Sequence, residues 1–307
     1  MRVTDSFRYR TVTRNLNNTR ERLTDIQEQL ASGKRLNKPS DNPTDMANAL
    51  KLRTILESNF QYEENIKDSI TQLTAQEEGL NQVYEVLANL KEITIQGASD
   101  SITIRESIAD QVGHMLENML EIANTKFNGK YIYGGTETLN RPFVLNENVI
   151  NNDVDAAVVD YYGNNEQAER QINENTIVPI NISGKEIFDQ SAGGGVNIFQ
   201  MMYDLKRSLE NDDTVEINAK IDEVDSAIEQ SLKSFLKIGT RKQLVYFNED
   251  RFMSQNIQVR AALSNIEDTD YGTAFVEFKA EENALNSALS AGARVVSPSL
   301  LDFLGAV

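Results

Sequence analysis

The sequence contains no cysteine and no tryptophan, and its 307 residues include only one histidine, five prolines and 16 glycines. Without a thiol the chain can form neither a disulfide nor a cysteine-ligated metal site, and it has no cysteine nucleophile. Aromatic residues make up 7%, and their scarcity together with that of proline and glycine favours long helices over turn-rich sheets. No apolar run approaches the roughly 18 residues that a membrane-spanning helix requires, so we expect no membrane insertion.

Acidic residues outnumber basic ones by 47 to 30, which gives a formal charge of −17. Nucleic-acid binding depends on clustered lysine and arginine, so this balance argues against nucleic acid as a partner. The two ends of the chain differ: residues 1–40 hold nine basic and four acidic residues, whereas residues 268–307 hold two and six. Opposite charges beside facing helices help to select a partner, so we expect the two ends to pair.

Apolar residues recur every three to four positions near the start, which predicts a first helix with one apolar stripe. The stripe consists of Tyr9, Val12, Leu16, Thr19, Leu23, Ile26 and Leu30. Gly33 and two later Xaa-Pro steps predict a loop over residues 33–42. A long second helix is expected over residues 43–96, capped by Asn42 or Ser40, and a third is expected from residue 104 to about 128.

The pattern changes between residues 130 and 196, where short strand-like runs alternate with glycine-containing turns. The runs cover residues 131–133, 142–145, 158–162 and 176–182. Helical spacing then returns over residues 197–209, 217–238 and 252–266. A last helix carries a heptad stripe of Ala274, Phe278, Glu281, Leu285, Ala288, Gly292 and Val295. The predicted fold is mainly α with an inserted small β domain (α+β), an elongated helical rod whose N- and C-terminal arms pair as a coiled coil.

These terminal stripes are weak, because several of their positions hold threonine, alanine, glutamate or glycine in place of leucine or isoleucine. The C-terminal arm nevertheless has more apolar residues than one stripe can cover. We therefore predict that the arms are disordered or frayed in the free monomer and become ordered when neighbouring subunits bury this second face. The predicted assembly interface comprises Val12, Leu16, Leu23, Ile26, Leu30, Phe278, Leu285, Leu289, Val295, Val296, Leu300, Leu301, Phe303 and Leu304.

Two segments resemble bacterial flagellins and their relatives: residues 31–43, which end the first helix, and residues 265–271, which open the last. The matching loop residues are Ser32, Gly33, Lys34, Arg35, Asn37, Pro39, Asp41 and Pro43. Within this superfamily the start Met1-Arg2-Val3-Thr4, residues 130–143 and the ending 299–304 resemble the hook-associated protein 3 family. The likeness covers almost the whole chain, in the same order.

The resemblance implies a structural adaptor at the hook–filament junction of the bacterial flagellum, and not an enzyme. Its expected partners are hook-associated protein 1, flagellin, further copies of itself in a ring, and a flagellar export chaperone. The protein would be extracellular, exported by the flagellar type III apparatus, in agreement with a start that lacks a signal-peptide apolar core. The family plan divides the chain into an axial coiled coil (1–40 plus 268–307), a helical rod domain (41–129 plus 197–267) and the β insert (130–196).

Two alternatives remain: a minor flagellin, and a surface-binding module that acts through the β domain. An enzyme has little support, because His114 has no second histidine or cysteine to complete a catalytic or metal site. Residues 193–195 form a glycine run before a helix but lack the spacing of a phosphate-binding loop, so a hinge is expected there. Asp268 and Asp270 lack the rest of a calcium loop and are interpreted as a helix boundary. We predict no cofactor and no metal.

Overall fold

The computed structural model describes residues 5–99, 105–146 and 158–296. Within these ranges the helices are α1 (Asp5–Ser32), α2 (Pro43–Gly97), α3 (Arg105–Ala123), α4 (Gly184–Phe188), α5 (Ile198–Glu210), α6 (Thr214–Glu267) and α7 (Tyr271–Val296). The strands are β1 (Lys126–Phe127), β2 (Lys130–Tyr131), β3 (Phe143–Leu145), β4 (Val159–Tyr161), β5 (Glu169–Asn173) and β6 (Thr176–Pro179). They pair as three antiparallel two-stranded sheets, β1–β2, β3–β4 and β5–β6. The prediction of a mainly α fold with a small β insert is confirmed.

The predicted loop between the first two helices is confirmed at both ends. Gly33 follows α1 with a φ of +72°, a left-handed conformation that terminates a helix at little cost only when the residue is glycine. Asn42 caps α2, since its Oδ1 accepts hydrogen bonds from the backbone N–H groups of Thr44 and Asp45 at 3.1 Å. Pro43 occupies the first helical position, where its missing N–H group is not needed.

The predicted end of the third helix is wrong by about five residues. α3 stops at Ala123, and residues 126–131 form the hairpin β1–β2. Asn128 and Gly129 make its two-residue turn with φ values of 49° and 76°, the left-handed pair that hairpin turns prefer. The Asn-Gly dipeptide is therefore a hairpin signal here, although it also fits the end of a helix.

The insert contains one strand that the sequence did not reveal. β5 has a single apolar residue, Ile172, so it lacks the alternation that identifies a half-buried strand. It pairs with β6 through a register irregularity between Gln171 and Asn173. A one-turn helix, α4, follows and is capped by the side chain of Ser183. Residues 217–238 and 252–266, two separate runs in the sequence, lie on the single helix α6.

The chain forms two compact units. The terminal unit comprises residues 1–58 and 254–307, and the central unit comprises residues 59–253. In the central unit the insert and the helices share one apolar core, in which Phe143 packs against Phe188 and Phe199 at ring-centroid distances of 5.1 and 5.5 Å. The insert therefore has no core of its own within the described residues.

Two buried glutamines attach the insert to the long helices of the central unit. Gln76 of α2 donates from Nε2 to the Ile132 carbonyl at 3.2 Å and accepts the Ile182 N–H at 3.0 Å. Gln230 of α6 donates from Nε2 to the Ile187 carbonyl at 2.8 Å and accepts the Val196 N–H at 3.1 Å. Since each amide satisfies buried backbone groups of the insert, each fixes where the insert lies on its helix.

Candidate assembly interface

Helices α1 and α7 pack against each other in the terminal unit and run antiparallel. The Nε of Arg22 lies 2.8 Å from the Oε1 of Glu281, which fixes the register in the middle of the pair. Nearer the chain ends, a Cβ built on Gly292 would lie 3.2 Å from the Cγ1 of Val12 and 3.9 Å from the Cδ1 of Leu16. Because Gly292 has no side chain, α1 can pack closely against α7 at this point. The predicted pairing of the two arms is confirmed.

The contact surface between these helices, which we call the seam, is only partly buried. Thr19 and Ala274, two of the small residues on the predicted stripes, are buried. The larger apolar residues remain half-buried: Val12, Leu16, Leu23, Ile26, Leu30, Phe278 and Leu285. Because hydrophobic stabilisation follows the apolar area removed from water, this pair gains less than a fully covered seam of the same length.

Several apolar side chains of the terminal unit face away from the seam. In α7, Tyr271, Phe275, Val276 and Leu289 are 52–69% exposed. Tyr9, which the sequence places on the first stripe, is also exposed, so its expected position in the seam is wrong for the single chain. Val295 and Val296 end α7, but their side chains lie outside the described residues, as do Leu300, Leu301, Phe303 and Leu304. The role of all these residues in assembly stays a prediction.

The loop after α1 is bound to the end of α6 and the residues that follow it. The Gly33 carbonyl accepts the Thr269 N–H at 3.0 Å, and the Arg35 N–H donates to the Glu267 carbonyl at 2.6 Å. The guanidinium of Arg35 also donates to the Ile266 carbonyl at 2.7 Å. The Tyr271 hydroxyl lies beside Gly33, 2.7 Å from where a Cβ would stand, but Tyr271 is exposed and could move, so it is the positive φ that requires glycine. We call this set of contacts the clasp.

Charged groups reinforce the clasp around one buried carboxylate. Glu267 has a side chain only 3% exposed and forms ion pairs with Arg53 at 2.6 Å and Lys34 at 3.4 Å. Lys34 also donates to Asp268 at 2.6 Å, and this hydrogen bond lowers the pKa of Asp268 and raises the pKa of Lys34. Glu267 lies within residues 265–271, which resemble the opening of the last flagellin helix, but the sequence predicts no role for it. Its burial depends on Arg53, more than 200 positions away, which no local pattern reveals.

The rest of the motif loop is held by local hydrogen bonds. Asp41 accepts the backbone N–H groups of Asn37 and Lys38 at 3.1 and 2.8 Å. These bonds, of which the one from Lys38 is the stronger influence, lower the pKa of Asp41. Asn37 Nδ2 donates to the Lys34 carbonyl at 3.0 Å, while Pro39 is exposed. The loop is therefore an ordered connection, although most of its side chains face solvent.

The remaining candidates show no arrangement of catalytic or ligand-binding groups. His114 is exposed, and its Nδ1 lies 3.5 Å from a Glu117 carboxylate oxygen. Asp270 caps α7 by accepting the Gly272 and Thr273 N–H groups, as the boundary interpretation predicts. In the described ranges no group of three or more histidine, cysteine, aspartate or glutamate side chains is arranged to hold a metal ion. No helix in the described part of the chain has the length and apolar character to cross a membrane.

Comparisons with known proteins agree with this architecture. Residues 7–138 match the family model for the bacterial flagellin N-terminal helical region. Flagellar hook-associated protein 3 of Salmonella typhimurium is 23% identical, over 94% of this chain and 95% of that protein. Flagellin of Bacillus subtilis is 25% identical over 86% of each chain.

Solved structures show the same fold. A putative flagellar hook-associated protein from Vibrio parahaemolyticus superposes with a TM-score of 0.66, at 21% identity, over 74% of this chain and all of that one. The flagellar junction protein from Legionella pneumophila superposes with a TM-score of 0.58, at 15% identity, over 72% of this chain and all of that one. The chain is thus similar to bacterial flagellins in its N-terminal helical region and to hook-associated protein 3 over nearly its whole length.

Proposed function

We propose that this protein is a structural adaptor of the bacterial flagellum that assembles at the hook–filament junction and links hook-associated protein 1 to flagellin. The observation that carries the proposal is the similarity to hook-associated protein 3 over 94% of this chain and 95% of that protein. Its specificity would reside in packing surfaces, and it would have no catalytic role.

The proposed mechanism is ordering of the terminal arms upon assembly. In the single chain α1 and α7 leave their larger seam residues half-buried and one face of α7 exposed. Neighbouring subunits in a ring would cover that face, including Leu289, and would add the apolar burial that the pair lacks. Under this proposal residues 1–40 and 268–307 form an axial layer, residues 41–129 and 197–267 a helical layer, and residues 130–196 the outer surface.

The same proposal sets the location and the partners. The protein would be extracellular, exported through the flagellum and escorted by a flagellar export chaperone. It would contact hook-associated protein 1 on one side, flagellin on the other, and copies of itself within the ring. A minor flagellin is the alternative, supported by the similarity to Bacillus subtilis flagellin over 86% of the chain.

Immunogold labelling of flagella separates these two functions. An adaptor should give one label at the boundary between hook and filament, whereas a minor flagellin should give label along the filament. A variant that lacks residues 1–33 and 270–307 should remain folded in its central unit but fail to reach the junction. Continued filament growth with this variant would contradict the proposed mechanism.

A binding role for the insert has weaker support. Gln76 and Gln230 attach the insert to the helices, and its apolar residues belong to the shared core. A glycan screen should therefore use the whole chain and not residues 130–196 alone. Saturable binding would favour the surface-binding alternative, and its absence agrees with an adaptor.

A further inference from the structure

The central unit has an exposed apolar face that the packing of the single chain leaves open. On α6, Leu232, Leu236, Tyr246 and Phe247 are between 41% and 66% exposed. Their spacing places them on one side of the helix, opposite the side that enters the core. Gly239 lies among them and leaves a groove of about 400 Å³ beside Leu236 and Tyr246.

Helix α2 extends this face. Two ion pairs, Lys242 with Glu77 and Lys91 with Asp225, join α6 to α2 and set an antiparallel register between the two helices. Tyr84, which is 39% exposed, lies between the two pairs along α2. We define the central patch as Tyr84, Leu232, Leu236, Tyr246 and Phe247.

The net negative charge of the protein lies in the central unit, which carries this patch. Residues 59–253 contain 33 acidic and 16 basic residues, whereas the remaining residues contain 14 of each, so the whole charge of −17 belongs to the central unit. Four ion pairs within the chain match charges at the border of the patch, whereas Asp250, exposed one turn after Tyr246, forms no ion pair with a described residue. The pairs are Glu77 with Lys242, Asp225 with Lys91, Glu229 with Lys233, and Glu186 with Lys237.

We propose that the central patch is covered by a neighbouring copy of this chain in the assembled ring. Two central units of equal negative charge repel each other, so they can approach closely only where charge is already matched and apolar surface is available. A basic partner would instead be drawn to the acidic surfaces. Aromatic side chains are also enriched at the centre of a protein interface, where charged residues are depleted. This inference rests on the proposed self-assembly and names a surface and a driving force for it.

The proposal implies an unusual salt dependence. Raising the ionic strength from 0.1 M to 1 M shortens the Debye length from about 10 Å to about 3 Å, which screens the repulsion between central units. Burial of the patch is not weakened in the same way, because it depends on apolar area. Association should therefore become stronger with salt, whereas contacts held by exposed ion pairs become weaker.

The absence of cysteine allows a direct test on the full chain. Leu236→Cys introduces a single thiol, which can carry a maleimide–benzophenone photocrosslinker. We expect a covalent dimer whose yield rises with protein concentration and is several-fold higher in 1 M than in 0.1 M NaCl. Val215→Cys is the matched control, because Val215 is 81% exposed on the same helix but outside the patch. Equal yields from the two probes, or a yield that falls with salt, would overturn the proposal.

A second measurement separates this inference from the proposed function. Leu236→Glu should weaken self-association in 1 M NaCl at least tenfold by sedimentation, and Val215→Glu should not, with circular dichroism showing that both are folded. In isolated flagella, the Leu236→Cys probe should cross-link to a second copy of this chain. Cross-linking to a different flagellar protein overturns the inference but leaves the adaptor function intact. Absence of the unmodified protein from flagella would refute the proposed function itself.

Discussion

The hydroxyl group of Tyr133 occupies the space that a side chain at Gly79 would fill. A Cβ built on Gly79 overlaps that hydroxyl and lies 3.3 Å from the Tyr133 Cζ. Tyr133 is fully buried, packs edge-on against Phe188, and its burial raises the pKa of its hydroxyl. Gly79 is a helical residue without a positive φ, so its role is to admit the insert against α2 and not to bend the backbone.

We expect Gly79→Ala to destabilise the central unit, although alanine is the better helix former by about 1 kcal/mol. The added methyl group must displace a buried tyrosine, and overpacking of this kind costs about 1–3 kcal/mol. Gly239→Ala is the matched control, because a Cβ there meets no described residue within 4 Å, and this substitution should stabilise α6. The midpoint urea concentration for unfolding should fall for Gly79→Ala and rise for Gly239→Ala. Equal stabilisation by both would show that Tyr133 is displaced without cost.

Removal of the tyrosine hydroxyl should rescue the glycine substitution. Tyr133 Oη has no hydrogen-bond partner among the described residues, so Tyr133→Phe removes no hydrogen bond seen there. The double variant Gly79→Ala with Tyr133→Phe should therefore be more stable than Gly79→Ala alone, and the effects of the two substitutions should not add. Additive effects in a double-mutant cycle would argue against direct contact between these residues.

Gln76→Met should loosen the insert. Methionine is of similar size but leaves the Ile182 N–H and the Ile132 carbonyl without partners, at a cost of about 1–3 kcal/mol for each unsatisfied group. Hydrogen exchange at the Ile182 amide should become faster than in the wild type. Gln111→Met, at an exposed position on α3, serves as the control and should leave that amide unchanged.

Stability of the clasp should fall at acidic pH. The hydrogen bond from Lys34 lowers the pKa of Asp268 below 3.8, so its contribution is present above that value and is lost as the pH falls through the lower folded-state pKa. Asp268→Asn should therefore lower the thermal stability of the terminal unit at pH 7 and have a smaller effect at pH 3. Glu277→Gln, at an exposed position on α7, should have little effect at either pH.

Amide exchange in the unassembled monomer should be faster in the seam than in the central core. Peptides from residues 10–30 and 274–293 belong to helices whose larger apolar residues are half-buried, whereas α2 places Leu73, Leu80, Leu87 and Leu90 fully inside the core. Incorporation into flagella should slow exchange in the seam. Equal protection of both regions in a verified monomer would exclude ordering on assembly.

The sequence predicts those features that depend on neighbouring residues. Helical spacing, the Gly33 and Pro43 boundaries and the heptad stripe of α7 are local patterns, and the structure contains each of them. β5 was not predicted, because it forms a strand through pairing with β6 and not through an alternation of its own apolar residues. Burial of Glu267 beside Arg53 and the fit of Tyr133 to Gly79 likewise depend on residues distant in the sequence.

The clasp also has a consequence for the order of folding. The hydrogen bond from Arg35 to the Ile266 carbonyl joins residues 231 positions apart, and the entropy lost in closing such a loop grows with its length. Folding of the central unit first would shorten the free chain that separates the two ends and lower that entropic cost. Substitutions that unfold the central unit should thus release the terminal helices as well, whereas damage to the clasp should leave the central unit folded. Folding of the terminal unit would thus depend on the central unit, whereas folding of the central unit would not depend on the terminal unit.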